Sequence, residues 1–345
     1  MFQTMITALN IDDGYTEIAR AVVEGRYLKP VFSVLKTGPK SLDEAVRIFM
    51  QYNSLPSDEI FVTSFHPKNV VFQHLEVPRV KSMKNLLNVA SYKAASQFSL
   101  PPDEVSVACL NSLTALKSGI VPAFVITRRK VLDEFISNLR QSGFPEPNVV
   151  DVKPFQIFKI AQMDALEGNY VLFMVDSDYS LLVMLKGDEI VGLNYINGGF
   201  SDVAGKFRED DSLSPNTDIQ REFLTGSKAY YDSLIEEASE QLESMISYQL
   251  RMYLTNTLSS SPNTSAADEA SFSKFFVVGQ SSLSTAVYGR AFQRMLGGDT
   301  GVLVLPLKIK ETIGITYTTA GLLMRGGEQL GRRKLVFKEE TSLQA

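Results

Sequence analysis

Apolar and polar residues alternate from the start of the chain, and turn residues punctuate them. Residues 5–11 read as a strand, Asp12-Asp13-Gly14 as a turn and residues 15–23 as a second strand; Glu24-Gly25 then turns the chain into a third strand over 27–35. The spacing changes at Ser41–Tyr52. Leu42, Ala45, Val46 and Phe49 fall on one helical face there, and Ser41 with Glu44 three residues later makes a capping box. Strands over 60–64 and 70–76 are expected to complete this first sheet. A second helix is expected over 80–98. Strands at 105–110, 123–127 and 149–152 and a helix over 129–142 then make a compact unit. That helix stops at Gly143, with Pro145 and Pro147 just beyond.

Residues 154–165 read as a helix returning to the main body, after which the opening pattern recurs. An apolar strand over 171–176 ends in an acid, Ser177-Asp178 turns, 180–185 is a strand, Lys186-Gly187-Asp188 turns and 189–196 is a third strand. A repeated strand–turn–strand–turn–strand unit predicts two similar lobes facing each other across a cleft; two unrelated β-meanders would give the same pattern. A long helix is expected over 233–254, with Ile235, Ala238, Leu242, Met245 and Gln249 on one stripe. Polar stretches at 208–218 and 258–271 read as surface loops. A buried strand at 274–278 leads to Gly279. A helix over 284–296, a strand at 302–305 and a short helix over 318–324 follow.

Composition narrows the class. Of 345 residues, 44% are apolar and 21% charged, the make-up of a folded globular chain. A net charge of −5 argues against a nucleic-acid surface. The one cysteine, Cys109, excludes an internal disulfide and suits a reducing compartment; its setting VSVACL makes it a small core residue in preference to a nucleophile. His66 and His74 lie in strand-like sequence without a second cluster of ligands, so no metal site is expected. No secretory leader opens the chain, and the longest apolar runs are strand-sized, so a cytoplasmic location without direct membrane insertion is expected.

The ordered set of segments resembles the PilM family, the actin-like proteins of type IV pilus assembly, and the related cytoplasmic domain of the GspL proteins of type II secretion. ALNIDDGYTEIARAVVEG stands where that family has its first phosphate loop. NLLNVASYKAASQFSLPPDEV and AFVITRRKVLDEFISNLRQSGF are similar to its small inserted domain, and FMVDSDYSLLVMLKGDEIVGLNYINGG to the second phosphate loop. FFVVGQSSLSTAVYGRAFQRMLG resembles the adenosine-binding strand–loop–helix, and AGLLMRG the closing helix. The resemblance covers roughly residues 5–326. It implies an α/β, ribonuclease H-like two-lobed fold of the actin type: lobe I from 1–79 and 149–168, a small inserted α/β domain at 80–148, lobe II at 169–330 and a tail at 331–345.

The chemistry departs from the family pattern. Its phosphate loops pair an Asp with nearby glycine, so that backbone N–H groups close on phosphate while the Asp faces magnesium. Here Asn10 stands at the first Asp position and Asp12 at the glycine position. Asp176 is kept in the second loop, but Asp178 replaces its glycine; Gly279 is kept in the adenosine loop, with Gln280 where a second glycine is usual. A carboxylate in place of glycine adds bulk and sets charge against phosphate, about 4 kcal/mol at 4 Å and an effective dielectric of 20. These five cleft positions, Asn10, Asp12, Asp176, Asp178 and Gly279, are therefore expected to be degenerate. Asp12, Asp13 and Asp178 holding a magnesium ion keep ATP as the alternative cofactor.

The resemblance implies a non-catalytic scaffold that docks the N-terminal cytoplasmic tail of a bitopic inner-membrane protein (PilN-like), beside other pilus or secretion platform components. It would lie at the inner membrane through that partner, with the tail held beside the inserted domain. Arg128, Arg129 and Lys130, at a helix start that disfavours cations, are either a solvated cluster or an anionic partner's surface. A nucleotide-regulated PilM-type ATPase is the alternative, although no residue stands out as a water-activating acid or glutamine. A filament-forming division protein like FtsA is another, but GRRKLVFKEETSLQA is too short and mixed in charge for an amphipathic membrane helix. In a GspL-like protein, Arg332-Arg333-Lys334 would flank a following span, and the chain would be the cytoplasmic part of a longer protein.

Overall fold

A computed structural model describes residues 4–152, 168–207, 219–226, 235–248, 252, 274–296, 302–304, 315–331 and 335–337, except 13, 79, 112–116, 118, 188 and 245–246. The expected helix over 154–165, the two polar stretches and much of the expected helix at 233–254 lie outside these residues.

Three strands open the chain: β1 (Met5–Ile11), β2 (Tyr15–Glu24) and β3 (Tyr27–Thr37). Helix α1 (Ser41–Tyr52) and β4 (Ile60–Phe65) follow. β1, β2 and β3 form an antiparallel meander, while β4 lies parallel to β1 with Ile6 opposite Ile60. Next come β5 (Val71–His74), α2 (Met83–Phe98), β6 (Val105–Cys109), β7 (Ala123–Arg128), α3 (Arg129–Gln141) and β8 (Val149–Val152). The second half repeats the plan with β9 (Asn169–Val175), β10 (Tyr179–Lys186) and β11 (Glu189–Asn197). Helices α4 (Phe200–Phe207) and α5 (Ile219–Thr225), β12 (Lys274–Val278), α6 (Ser282–Leu296), β13 (Val302–Val304), α7 (Tyr317–Gln329) and β14 (Val336–Phe337) complete it.

The sheets run β14-β3-β2-β1-β4-β8 and β11-β10-β9-β12-β13, with a third, β5-β7-β6. Both large sheets have an antiparallel meander joined at its first strand to parallel strands. The repeat read from the sequence is thus a repeat of topology in two separate sheets. The outer face of the first sheet packs Leu9, Ile18 and Phe61 against Ala45, Val46 and Phe49 of α1 and Leu139 of α3. Facing inward, Ile6 and Ala8 share a core with Leu172, Met174, Leu181 and Val183 of the second sheet and with Leu322 and Leu323 of α7. Apolar burial therefore runs continuously from lobe to lobe.

Three assignments differ from expectation. β5 is not part of the first sheet: Val71 pairs with Ile126 and His74 with Ala123 in the third. Its mostly half-exposed pattern suits a small one-sided sheet. β8 takes the place beside β4, with Val62 opposite Val149. Helix α3 sets Phe135 and Leu139 on the first lobe's core, which makes it the return crossover to that sheet. The inserted unit proper is the third sheet with α2, whose Leu86, Ala90 and Ala94 pack on Val105, Phe124 and Ile126. Asn111 ties it to lobe II: its Nδ2 donates to Glu189 Oε2 and to the Ile190 carbonyl, both at 3.0 Å. In the expected tail, Leu335 is buried and β14 extends the first sheet beside β3.

The closing helix lies flush on β1 because Gly326 permits it. A Cβ there would stand 2.5 Å from Ile6 Cγ2 and 2.9 Å from Val62 Cγ2, both on β-branched side chains with no room to turn. Gly326→Ala is expected to lower the free energy of unfolding by about 1–3 kcal/mol through overpacking, measured by urea titration.

Candidate functional site

The cleft between the lobes is lined by the turns after β1 and β9, the segment after β4 and the loop after β12. These are the places where the five cleft residues expected from the sequence lie, and the structure brings Asn10, Asp12, Asp176 and Asp178 into one hydrogen-bonded group around Tyr15 and His66. Asn10 is fully buried at the end of β1. It accepts from Ser64 Oγ at 3.1 Å and donates through Nδ2 to the Tyr15 hydroxyl at 3.0 Å. Tyr15 then donates across the cleft to Asp176 Oδ1 at 3.2 Å. Tyr179 donates to Asp176 Oδ2 at 3.0 Å, and the Ser177 N–H to Oδ1 at 2.8 Å. A carboxylate that would face a metal in a working phosphate loop is here capped by two tyrosines. Burial, reinforced by the Asp176 and Asp12 charges, raises both phenols well above their ordinary range, so they remain donors.

Beside this relay sits a second group. His66, in the extended residue after β4, places Nε2 3.1 Å from Asp178 Oδ2 and 3.9 Å from Asp12 Oδ1. Its ring also meets Tyr179 edge-on at 5.1 Å. The expectation that His66 lacks a ligand cluster is overturned: donor atoms of Asp12, His66 and Asp178 lie within 4.8 Å of one another. A metal nevertheless fits this arrangement poorly. The Lys68 N–H donates to His66 Nδ1 at 3.0 Å, so the ring proton of a neutral imidazole resides on Nε2. That nitrogen is a donor to Asp178 and has no lone pair for a cation. Burial raises the Asp178 carboxyl, but hydrogen bonding with His66 and Asp12 outweighs it and holds the group below its usual range.

At the position where the resemblance implied an adenosine loop, Gly279 closes on Ser284. A Cβ on Gly279 would lie 2.3 Å from Ser284 Oγ, and its N–H donates to Thr285 Oγ1 at 2.8 Å. The second-glycine position is filled by the fully buried Gln280, whose Oε1 accepts from the Thr318 N–H and whose carbonyl accepts from the Tyr317 N–H, both at 3.2 Å. Among the described residues, Gln280 Nε2 and Thr318 Oγ1 are buried without a hydrogen-bond partner. The side chain thus occupies the space that glycine would leave open. Glu17 of β2 braces the same helix end. It accepts from the Thr316 N–H at 3.1 and 3.2 Å, from Thr316 Oγ1 at 2.5 Å and from Thr319 Oγ1.

Of the three cations expected to face a partner, Arg128 lines a cavity while Lys130 pairs with Glu134 along the helix at 3.8 Å, both well exposed. Arg129 is exposed. The cavity, about 370 Å³, lies where the third sheet meets lobe I. Val70, Val71, Phe98, Leu100 and Ile126 supply its apolar wall, and Lys68 joins Arg128 as a second cation. Sequence reasoning missed Lys68 because it lies in a turn 60 residues before Arg128.

No family model matches the sequence, and no curated protein matches it. Solved structures do. One is a chain of a PilM–PilN type IV pilus biogenesis complex, 15% identical, with TM-score 0.62 over 94% of this chain and 98% of that one. Another is the ethanolamine utilization protein EutJ from Carboxydothermus hydrogenoformans, 11% identical, TM-score 0.48, covering 94% and 90%. A Bacteroides thetaiotaomicron protein described as having an actin-like ATPase fold and unknown function is 9% identical, TM-score 0.45, covering 92% and 95%. The fold is actin-like. Within that class the chain is PilM-like, as the resemblance implied, at the level of the fold. Among the described residues no helix is long and apolar enough to cross a membrane.

Burial pushes the Glu17 carboxyl up to about 7, against hydrogen bonds from Thr316 and Thr319 that lower it. An acid raised in the folded state contributes stability below its unfolded pKa and loses it as pH rises through the folded one. Unfolding free energy should therefore fall by up to about 3 kcal/mol between pH 4.5 and 7.5 from this group alone. Glu17→Gln should flatten that slope, measured by urea unfolding at the two pH values.

Proposed function

We propose that this protein is a non-catalytic, actin-like scaffold of a type IV pilus or type II secretion platform. It docks the cytoplasmic N-terminal tail of a PilN-like bitopic membrane protein, which holds it at the inner membrane. The observation that carries this reading is the cavity between the third sheet and lobe I, with an apolar wall and Lys68 and Arg128 beside it. A seam between two units is a favoured place for a ligand. β5 is an edge strand of its sheet, so an extended tail can add main-chain hydrogen bonds there while its apolar side chains enter the cavity. The two cations favour a segment that carries an acid beside those side chains.

The cleft supports the second half of the proposal, that no nucleotide is bound. Asp176 is taken up by two tyrosines, Asp178 by His66, and Gln280 fills the adenosine end. Binding there would require these groups to leave partners they already have and would bring phosphate against Asp12 and Asp178.

A fluorescent synthetic peptide of the tail should bind the intact chain. Val71→Asp and Arg128→Glu should each weaken it at least about tenfold, the scale of a lost interface anchor, without changing the melting temperature. Normal binding by both variants would place the docking site elsewhere. Millimolar ATP with magnesium should leave the melting temperature unchanged within a degree. A ligand at one hundred times its Kd stabilises by about 2.7 kcal/mol, so a rise of several degrees that EDTA abolishes would show a working nucleotide site.

A further inference from the structure

The cleft and the cavity share one short turn. His66 begins it, and residues Pro67–Asn69 form a single 3-10 turn. The Asn69 N–H donates to the His66 carbonyl at 3.0 Å and the Val70 N–H to the Pro67 carbonyl at 3.1 Å. Pro67 fixes its own backbone angle, and the Lys68 N–H is capped by His66 Nδ1. The turn is thus a small unit whose position follows that of the His66 ring. On one side, Nε2 of that ring holds Asp178 of lobe II at 3.1 Å. On the other, Lys68, Asn69, Val70 and Val71 stand in the cavity wall. Thr127, also in that wall, donates to the Asn69 carbonyl at 2.8 Å and fixes the turn to the third sheet.

We propose that His66 couples the docking cavity to the contact between the two lobes, so that a bound tail strengthens the His66–Asp178 hydrogen bond. The inference rests on the docking reading above. With the His66–Asp178 bond made, the turn is held from both sides where it shapes the cavity; with it broken, Thr127 alone of the two holds it and the tail binds more weakly. Coupling between two sites is reciprocal. A bound tail therefore holds the turn, and the turn holds His66 against Asp178, reinforcing one contact between the lobes. Asn111, hydrogen-bonded from the inserted unit to Glu189 and Ile190 of lobe II, gives the moving parts a second fixed point.

Two substitutions separate the latch from the local fold. Asp178→Ala removes the acceptor from the far lobe and touches nothing in the cavity; the carboxylate is a third exposed, so its loss is tolerated. His66→Asn keeps an acceptor at the δ position for the Lys68 N–H but loses the reach to Asp178. With the synthetic tail peptide of the PilN-like protein from the same organism as probe, each is expected to weaken binding about fivefold or more. The double variant should be no weaker than either alone. Adding the peptide to the wild-type chain should also slow amide hydrogen exchange at residues 177–179, and His66→Asn should abolish that protection. Folded variants that bind the peptide as the wild type does, with no protection of 177–179, would overturn the coupling and leave the docking site standing. A wild-type chain that does not bind the peptide would overturn both.

Discussion

A buried carboxylate must be satisfied, and in this chain Asp176 is satisfied from both lobes. Its two oxygens accept from Tyr15 of the first sheet and Tyr179 of the second, at 3.2 and 3.0 Å. Leaving such a group without donors would cost about 1–3 kcal/mol or more, so the lobes are drawn to the spacing at which both tyrosines reach it. The rest of the cleft follows from that spacing. Asn10 is held by the back of the Tyr15 hydroxyl, Ser64 is held by Asn10, and His66 comes within range of Asp178. Beneath them the inward faces of the two sheets join one apolar core, so polar closure above and burial below favour the same arrangement.

This explains how an actin-like fold can hold its lobes together through its own side chains. The charges in the cleft are compensated: Asp176 by hydroxyls, Asp178 by the imidazole. The fold's second exposed feature, the inserted unit, is fastened at three places, through Asn111 to lobe II, through Thr127 to the turn after His66, and through α3 to lobe I. A partner seated against it acts on a body already in contact with both halves.

Much of the fold was legible from the residues. Gly25 and Gly187 turn the two meanders with φ of +62° and +59°, a conformation that marks glycine in any sequence. Alternating strands around such turns give a meander whatever surrounds them. What stayed hidden was destination. The amphipathic stripe of α3 says that one face is buried but not which sheet it meets, and β5 was placed beside its neighbour in sequence when its partner lies some 50 residues on. The cleft positions were legible as departures from glycine; the residues that compensate them were not. His66 and Asp178 are 112 residues apart, and Tyr15 reads as one more aromatic in a strand until its hydroxyl is seen to cross the cleft.

The compensation has a consequence for the paths open to this sequence. Replacing Asp178 with glycine would restore room for a phosphate but strand the Nε2–H of His66. Replacing Gln280 would open the adenosine end but deprive the Thr318 N–H of its acceptor. Freeing Asp176 for a cation needs two tyrosines, on opposite lobes, to change together. Each of these changes leaves a buried polar group without its partner, and neighbouring changes of this kind do not add independently. The cleft's polar groups are a coupled set, and a substitution at one of them changes what a substitution at the next will cost.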